Sequence, residues 1–135
     1  MSALKITILG CGSSFGVPLF HNIWGKCDPK EPKNIRSRPS ILVQKNGKNL
    51  LIDTSPDLKQ QILSNKIENI DAVFYTHEHA DHTHGINELR SINLIHGKII
   101  PCYGNEQTMD KITNSFNYLF ENTEKSYYPA ILSKN

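Results

Sequence analysis

Residues 5–9 alternate Lys or Thr with Ile before closing on Leu9, and this period of two predicts a strand that ends at Gly10. Two more apolar runs, residues 40–44 and 49–53, flank Lys45-Asn46-Gly47-Lys48. The Asn-Gly pair predicts a hairpin between them. Residues 58 to about 67 read as a helix with Pro56 near its start and Asp57 or Ser55 as the cap. Residues 71–75 are β-branched and aromatic and predict a short buried strand. Ile86, Leu89 and Ile92 or Asn93 then recur at helical spacing, so a helix is expected to begin close to His82. Residues 99–104 predict another strand. Asn105 can cap a helix whose stripe is Met109, Ile112, Phe116 and Phe120, and residues 127–132 look like the beginning of a last strand.

Where periodicity fails, glycine and proline take over. Gly10-Cys11-Gly12-Ser13-Ser14-Phe15-Gly16 invites comparison with dinucleotide and phosphate loops, but its last glycine falls one position late and no Gly-Lys-Ser/Thr ending comes after it. The better account is a tight turn that passes close to the site at the sheet edge. Residues 17–39 hold Pro18, Pro29, Pro32 and Pro39 and no sustained period, which predicts a long surface excursion. His21 and Cys27 within it have ligand chemistry, yet a single Cys and a single His without near neighbours more often serve structure.

Composition bounds the chain without directing it. At 135 residues, 38% apolar and 21% charged, it suits one soluble core, and a net charge of +2 is too small to make nucleic acid or a membrane the main partner. The charge is uneven, however: residues 26–48 carry seven basic and two acidic side chains, against eight and eleven elsewhere. Such a segment suits an anionic substrate or an ordinary solvated loop. Cys11, Cys27 and Cys102 are odd in number and widely spaced, which argues for a reducing compartment rather than a disulfide framework. Without a signal-peptide run or an apolar stretch long enough to span a bilayer, the expected location is cytoplasmic.

The chemistry concentrates in Thr76-His77-Glu78-His79-Ala80-Asp81-His82, with His84 two residues on, directly after the strand expected at 71–75. In extended chain, i and i+2 point the same way, so His77, His79 and Asp81 can face one point, and a turn brings His82 to it. Imidazole and carboxylate are the usual ligands of zinc and similar ions. A polar loop is the plainer account, but like-protonating groups crowded at a strand end pack badly without an ion. The His-Glu-x-x-His helix motif is excluded, because position 81 is Asp. Asp53 ends its own strand as the cluster ends another, and either orients a ligand histidine or bonds loop amides. Arg36 and Arg38 alternate just before residue 40, and arginine forks suit phosphate oxygens, though no aromatic platform accompanies them. A helix start near His82 would add amides and positive potential for an anion. His84 is a ligand, a cap or, preferably, a support for a ligand; His96 before Gly97 looks like an ordinary helix end.

The cluster resembles the His-x-His-x-Asp-His signature of the metallo-β-lactamase-fold hydrolases. A wider similarity, carried by residues 10–18, 34–40, 50–57 and 77–90, is to the phosphoribosyl cyclic phosphodiesterases of phosphonate breakdown, and more distantly to the tRNase Z enzymes. The resemblance implies an α/β (α+β) fold: a single domain, 1–135, forming the N-terminal half of an αββα sandwich, with a mostly antiparallel or mixed sheet and flanking helices. It implies two divalent metal ions, zinc foremost with Mn or Fe as alternatives, one held by His77 and His79 and the other by Asp81 and His82. Asp81, His84 and Asp53 become the catalytic candidates, and Arg36 and Arg38 the substrate candidates. The implied activity is hydrolysis of a small phosphodiester by a hydroxide held on the two metals.

The family pattern also continues through a second half that supplies a third histidine for the first metal, an aspartate bridging both and a final histidine. After His96 this sequence has no histidine, and Asp110 falls inside an expected helix with no ligand neighbours. Each ion would receive two protein ligands, below the three plus water normal for catalytic zinc. The rival expectation is therefore a truncated or split family member, inactive alone, its open sheet covered by a second chain or a homo-oligomer. A tRNase Z-like RNA-processing nuclease is the weaker alternative, since modest charge argues against nucleic acid as partner.

Overall fold

The computed structural model describes residues 3–122 and 127–135. β1 (Lys5–Gly10), β2 (Ser40–Lys45) and β3 (Lys48–Ile52) form an antiparallel meander. Asn46 and Gly47, both left-handed with φ of 51° and 73°, make the tight turn between the last two. From β3 onward each strand runs parallel to its predecessor: β4 (Ala72–Phe74), β5 (Ile100–Tyr103) and β6 (Leu132–Lys134). The six-stranded sheet, in the order β1-β2-β3-β4-β5-β6, is therefore mixed.

Parallel steps need crossovers, and crossovers of one hand stepping the same way stack their helices on one face. α1 (Leu58–Ser64) joins β3 to β4, α2 (Ala80–Thr83) and α3 (Leu89–His96) join β4 to β5, and α4 (Glu106–Ser115) and α5 (Asn117–Phe120) join β5 to β6. Alternation along the strands sends Leu42, Leu51, Val73 and Cys102, neighbours in register, to the helix side, where each is at most 2% exposed. There they meet Leu58, Leu89, Met109, Ile112 and Leu119. Burial pushes the Cys102 thiol up to about 12, so it behaves as a small apolar side chain.

The other face has no such cover. In register across it run Ile8, Ile41, Ile52, Phe74 and Tyr103, with Ile6, Val43, Leu50 and Ala72 beside them. Ile6 and Ile8 are 59% and 65% exposed, and Phe74 and Tyr103 42% and 43%. A sheet of this kind with an apolar outer face is half of a layered architecture.

Two expected elements come out differently, one for a local reason and one for a tertiary reason. α1 stops at Ser64, where Asn65 turns back to the Gln61 carbonyl and Lys66 takes a left-handed φ of 52°. The helix expected from His82 is broken into α2, a 3-10 turn at Ile86–Glu88 and α3, because Gly85 is pressed against Ser55: a Cβ there would lie 1.9 Å from the Ser55 carbonyl oxygen. The anion-holding helix start expected at His82 is thus a single turn. β6 forms at Leu132, at the end of the stretch read as the entry to a last strand, after Ile131 N–H has donated to Leu119 O at 2.9 Å. No helix among the described residues is long and apolar enough to cross a membrane.

A one-sided core predicts unequal costs. Leu51→Ala should lower the unfolding free energy by about 2–5 kcal/mol in a urea titration, and Ile8→Thr should stay within about 0.5 kcal/mol at low protein concentration. Equal losses at the two positions contradict the assignment of faces.

Candidate metal centre

Parallel β3 and β4 end side by side, so the residues leaving one strand meet those leaving the other. Asp53 comes directly after β3 with a left-handed φ of 60°, a conformation Asp tolerates better than most residues. This turn aims its 4% exposed carboxylate at the chain leaving β4. Asp53 Oδ1 accepts the Thr76 amide at 2.8 Å, and Oδ2 accepts the Thr76 hydroxyl at 2.7 Å and His82 Nδ1–H at 2.6 Å. Thr76 has one hydroxyl proton, given to Asp53, so it acts as acceptor toward His77 Nδ1, 2.9 Å away. One carboxylate thereby places the Nδ1 proton on two histidines, on His82 directly and on His77 through Thr76. The Nε2 lone pair of each is left for a ligand.

Backbone clamps hold the rest of the loop. Buried Thr54 donates its N–H to His82 O at 2.8 Å and its hydroxyl to Thr83 O at 3.0 Å, and its carbonyl accepts Gly85 N–H at 2.9 Å. The fully buried Tyr75 hydroxyl lies 3.0 Å from Thr54 Oγ1, and burial holds its phenol well above the usual tyrosine range. Glu78 pairs with Lys111 of α4, tying the loop to the helix layer.

The side chains expected as ligands are drawn together in pairs. His77 and His79 have ring centroids 4.8 Å apart, His77 and His82 4.0 Å, and Asp81 Oδ2 lies 3.3 Å from His82 Nε2. His84 points elsewhere: its ring meets Phe116 edge-on at 5.5 Å and Thr83 Oγ1 lies 3.1 Å from its Nδ1, beside a cavity lined also by Glu78, Lys111 and Asn114. The donors suit a divalent ion in kind and in tautomer. They fall short in number, since among the described residues no three His, Cys, Asp or Glu side chains converge to hold an ion by themselves.

The arginines are engaged. Arg38 Nε and Nη2 donate to Asp57 at 2.8 and 2.6 Å, and its backbone N–H also reaches Asp57 Oδ2 at 2.8 Å. Arg36 Nε donates to Lys33 O at 3.3 Å and Nη1 to Cys11 Sγ at 3.4 Å. Asp57 therefore does not cap α1 with its side chain; Ser55 Oγ accepts the Asp57 amide at 3.0 Å in that place. The glycine loop does pass close to something, but to this segment: a Cβ on Gly10 would lie 2.1 Å from Arg38 O. Thr54 and Thr76 belong to no sequence motif, and only their positions beside Asp53 and His77 mark them.

Mixed sheet, one-sided helices and a histidine loop fixed by the neighbouring strand's aspartate together define a metallo-β-lactamase-type fold. The family model of the β-lactamase superfamily domain matches residues 48–132, and the chain belongs to that family. A solved diphosphatase of the PhnP family is 35% identical, with a TM-score of 0.80 over 98% of this chain and 50% of its own. Zn²⁺-bound PqqB from Methylobacterium extorquens shares the fold at 21% identity and a TM-score of 0.67, over 96% of this chain and 44% of its own. Ribonuclease Z of Methanopyrus kandleri is 36% identical over 76 residues, 54% of this chain and 27% of that protein. Octanoyltransferase of Porphyromonas gingivalis is 35% identical over 128 residues, 94% of this chain and 25% of that protein. The chain spans about half the length of the solved relatives and about a quarter of these curated ones.

Asp53→Asn keeps the side-chain volume but puts an amide against donors. It should weaken Zn²⁺ binding by about 10–100-fold in calorimetry with the circular dichroism unchanged, and equal affinity would remove Asp53 from the site. The Arg38 hydrogen bonds hold the Asp57 carboxyl below its ordinary value, against the opposing effect of burial. That stabilisation is complete above the ordinary carboxylate range and is lost as pH falls through the lowered value. The gap in thermal midpoint between wild type and Asp57→Asn should accordingly be wide near pH 6 and shrink near pH 3.

Proposed function

We propose that this chain carries the metal-ligand half of a hydrolase that cleaves a small phosphodiester or diphosphate. The observation that carries this is the Asp53 carboxylate, which leaves the Nε2 of His82, directly, and of His77, through Thr76, free for a ligand. The names diphosphatase and ribonuclease, borne by relatives at 35% and 36% identity, both denote cleavage at phosphorus. His77 and His79 would hold one divalent ion, and Asp81 and His82 a second, with zinc foremost and Mn or Fe as alternatives. When bound, such ions polarise phosphoryl oxygen and offset charge on the attacking and leaving oxygens.

The chain's own residues do the positioning. Asp53 keeps the Nδ1 protons in place, Thr54 stops the loop from sliding along β3, and the Glu78 pair with Lys111 anchors its outer side. Arg38 adds positive potential next to Asp81 while its fork stays on Asp57. His84, beside its own cavity, supports the loop from the helix side.

Two observations favour a second reading, in which this half is inactive until another polypeptide segment or a second copy completes it. Among the described residues the donors are too few for a closed site, and the Ile8 to Tyr103 row is apolar and open. Hydrolysis of bis(p-nitrophenyl) phosphate by the Zn²⁺- or Mn²⁺-loaded chain, lost in His79→Ala, is the expected result. Activity that appears only on mixing with the C-terminal half of the PhnP-family diphosphatase would establish the second reading. Absence of turnover in both arms sinks the phosphoryl assignment.

A further inference from the structure

The excursion between β1 and β2 displays its apolar side chains to solvent. Phe15 is 76% exposed and Phe20 93%, and Leu19 and Ile23 are also exposed. This is no loose end. Val17 and Arg36 exchange backbone hydrogen bonds of 2.9 and 3.0 Å, Leu19 N–H donates to Ile23 O at 2.9 Å, and Gly12 N–H donates to Ser37 O at 2.7 Å. His21 and Asn22, at the tip, both take left-handed φ, 60° and 57°. A loop pinned at three places while holding two phenyl rings in water gives up free energy in proportion to the apolar area shown, so a covering group is expected.

The cleft these rings border has a volume of about 420 Å³, within the range of small-ligand sites, and Pro18 and Ile23 line it with them. Leu19, His21 and Arg38 complete the lining. The Arg38 side chain is fixed by Asp57, four residues beyond the Asp53 that holds His82, so the cleft's wall and the metal-ligand loop are tied to the same stretch of chain. Arginine and phenylalanine both present flat faces, and planar rings stack on either.

We propose that this cleft binds the nucleobase of a nucleoside phosphate whose phosphate lies at the histidine loop. The proposal rests on the phosphoryl reading above and gives that substrate an aromatic half. Apart from Arg38 and the exposed His21 the lining is apolar and lacks the array of buried donors and acceptors needed to read a base edge, so it recognises a planar ring without choosing among bases. A sugar alone would leave its hydroxyls facing phenyl rings. Stacking of this kind is worth on the order of tenfold in affinity or more.

Calorimetric titration of the full chain, with Zn²⁺ present throughout, separates the alternatives. Adenosine 5′-monophosphate should bind at least about tenfold more tightly than ribose 5-phosphate, and the Phe15→Ala/Phe20→Ala double variant, checked for folding by circular dichroism, should bring it down to the ribose 5-phosphate level. Equal binding of the two ligands to wild type overturns the cleft and leaves the phosphoryl reading standing. Octyl phosphate binding as tightly as the nucleotide overturns it in favour of a general apolar pocket. Self-association abolished by the double variant assigns the rings to contact with a second copy instead. Binding of neither phosphate ligand overturns both readings.

Discussion

The structure turns on how many donors one carboxylate can hold. Asp53 has two oxygens and accepts three hydrogen bonds, from the Thr76 amide, the Thr76 hydroxyl and His82 Nδ1–H. The backbone cost is a left-handed residue at the end of β3, and the return is that two neighbouring strand ends and a histidine are locked to one point. Because Thr76 has a single hydroxyl proton to give, the lock also fixes the tautomer of His77. The histidines are therefore oriented before any ligand arrives, which lowers the ordering cost of binding one. A hydrogen-bonded network of this type stands or falls together, since losing the central acceptor leaves several donors unpaired in a half-buried place.

Much of this is legible in the sequence, and the limit is a matter of distance along the chain. The Asn46-Gly47 hairpin, the strand before the histidines and the Asn105 cap are local, and periodicity or turn chemistry finds them; Asn105 Oδ1 accepts Thr108 N–H at 2.8 Å as its position suggests. The helix expected from His82 fails because a contact with Ser55, far back in the chain, requires Gly85 to lie where no helix can run straight. The sequence leaves Asp53 evenly divided between two uses, and the parallel register of β3 with β4 gives it both, the Thr76 amide on one oxygen and His82 on the other. Phe15 and Phe20 carry no local signal for the same reason: nothing in residues 10–39 tells that Arg38 closes a cleft around them, so in sequence the arginines lack aromatic company.

The open sheet face and the short donor set are one problem. Ile52 immediately precedes Asp53, and Phe74 stands two residues before Thr76, so the apolar row ends at the ligand loop. Any layer that covers Ile8, Ile41, Ile52, Phe74 and Tyr103 has its own edge beside His77 and His82. On the second reading proposed above, the cover would also be placed to supply the further donors. This explains why a half with well-oriented histidines can still have no cage among its described residues: the lock at Asp53 is internal to one sheet, and closure of the coordination sphere is a property of two.

The charge of residues 26–48 then acquires a structural meaning. Arg38 is held by both oxygens of Asp57, and Arg36 is turned to the Lys33 carbonyl and Cys11, so the two best phosphate-binding forks of the segment brace the excursion against α1 and the glycine loop. A braced arginine keeps its charge, but it cannot wrap a phosphate without leaving its partner. Charge on a bound anion must therefore be met chiefly by whatever the histidine loop holds, and the arginines set the background potential. Under the proposed reading, the largely apolar cleft on the far side of this brace makes shape and planarity the property that the excursion can discriminate.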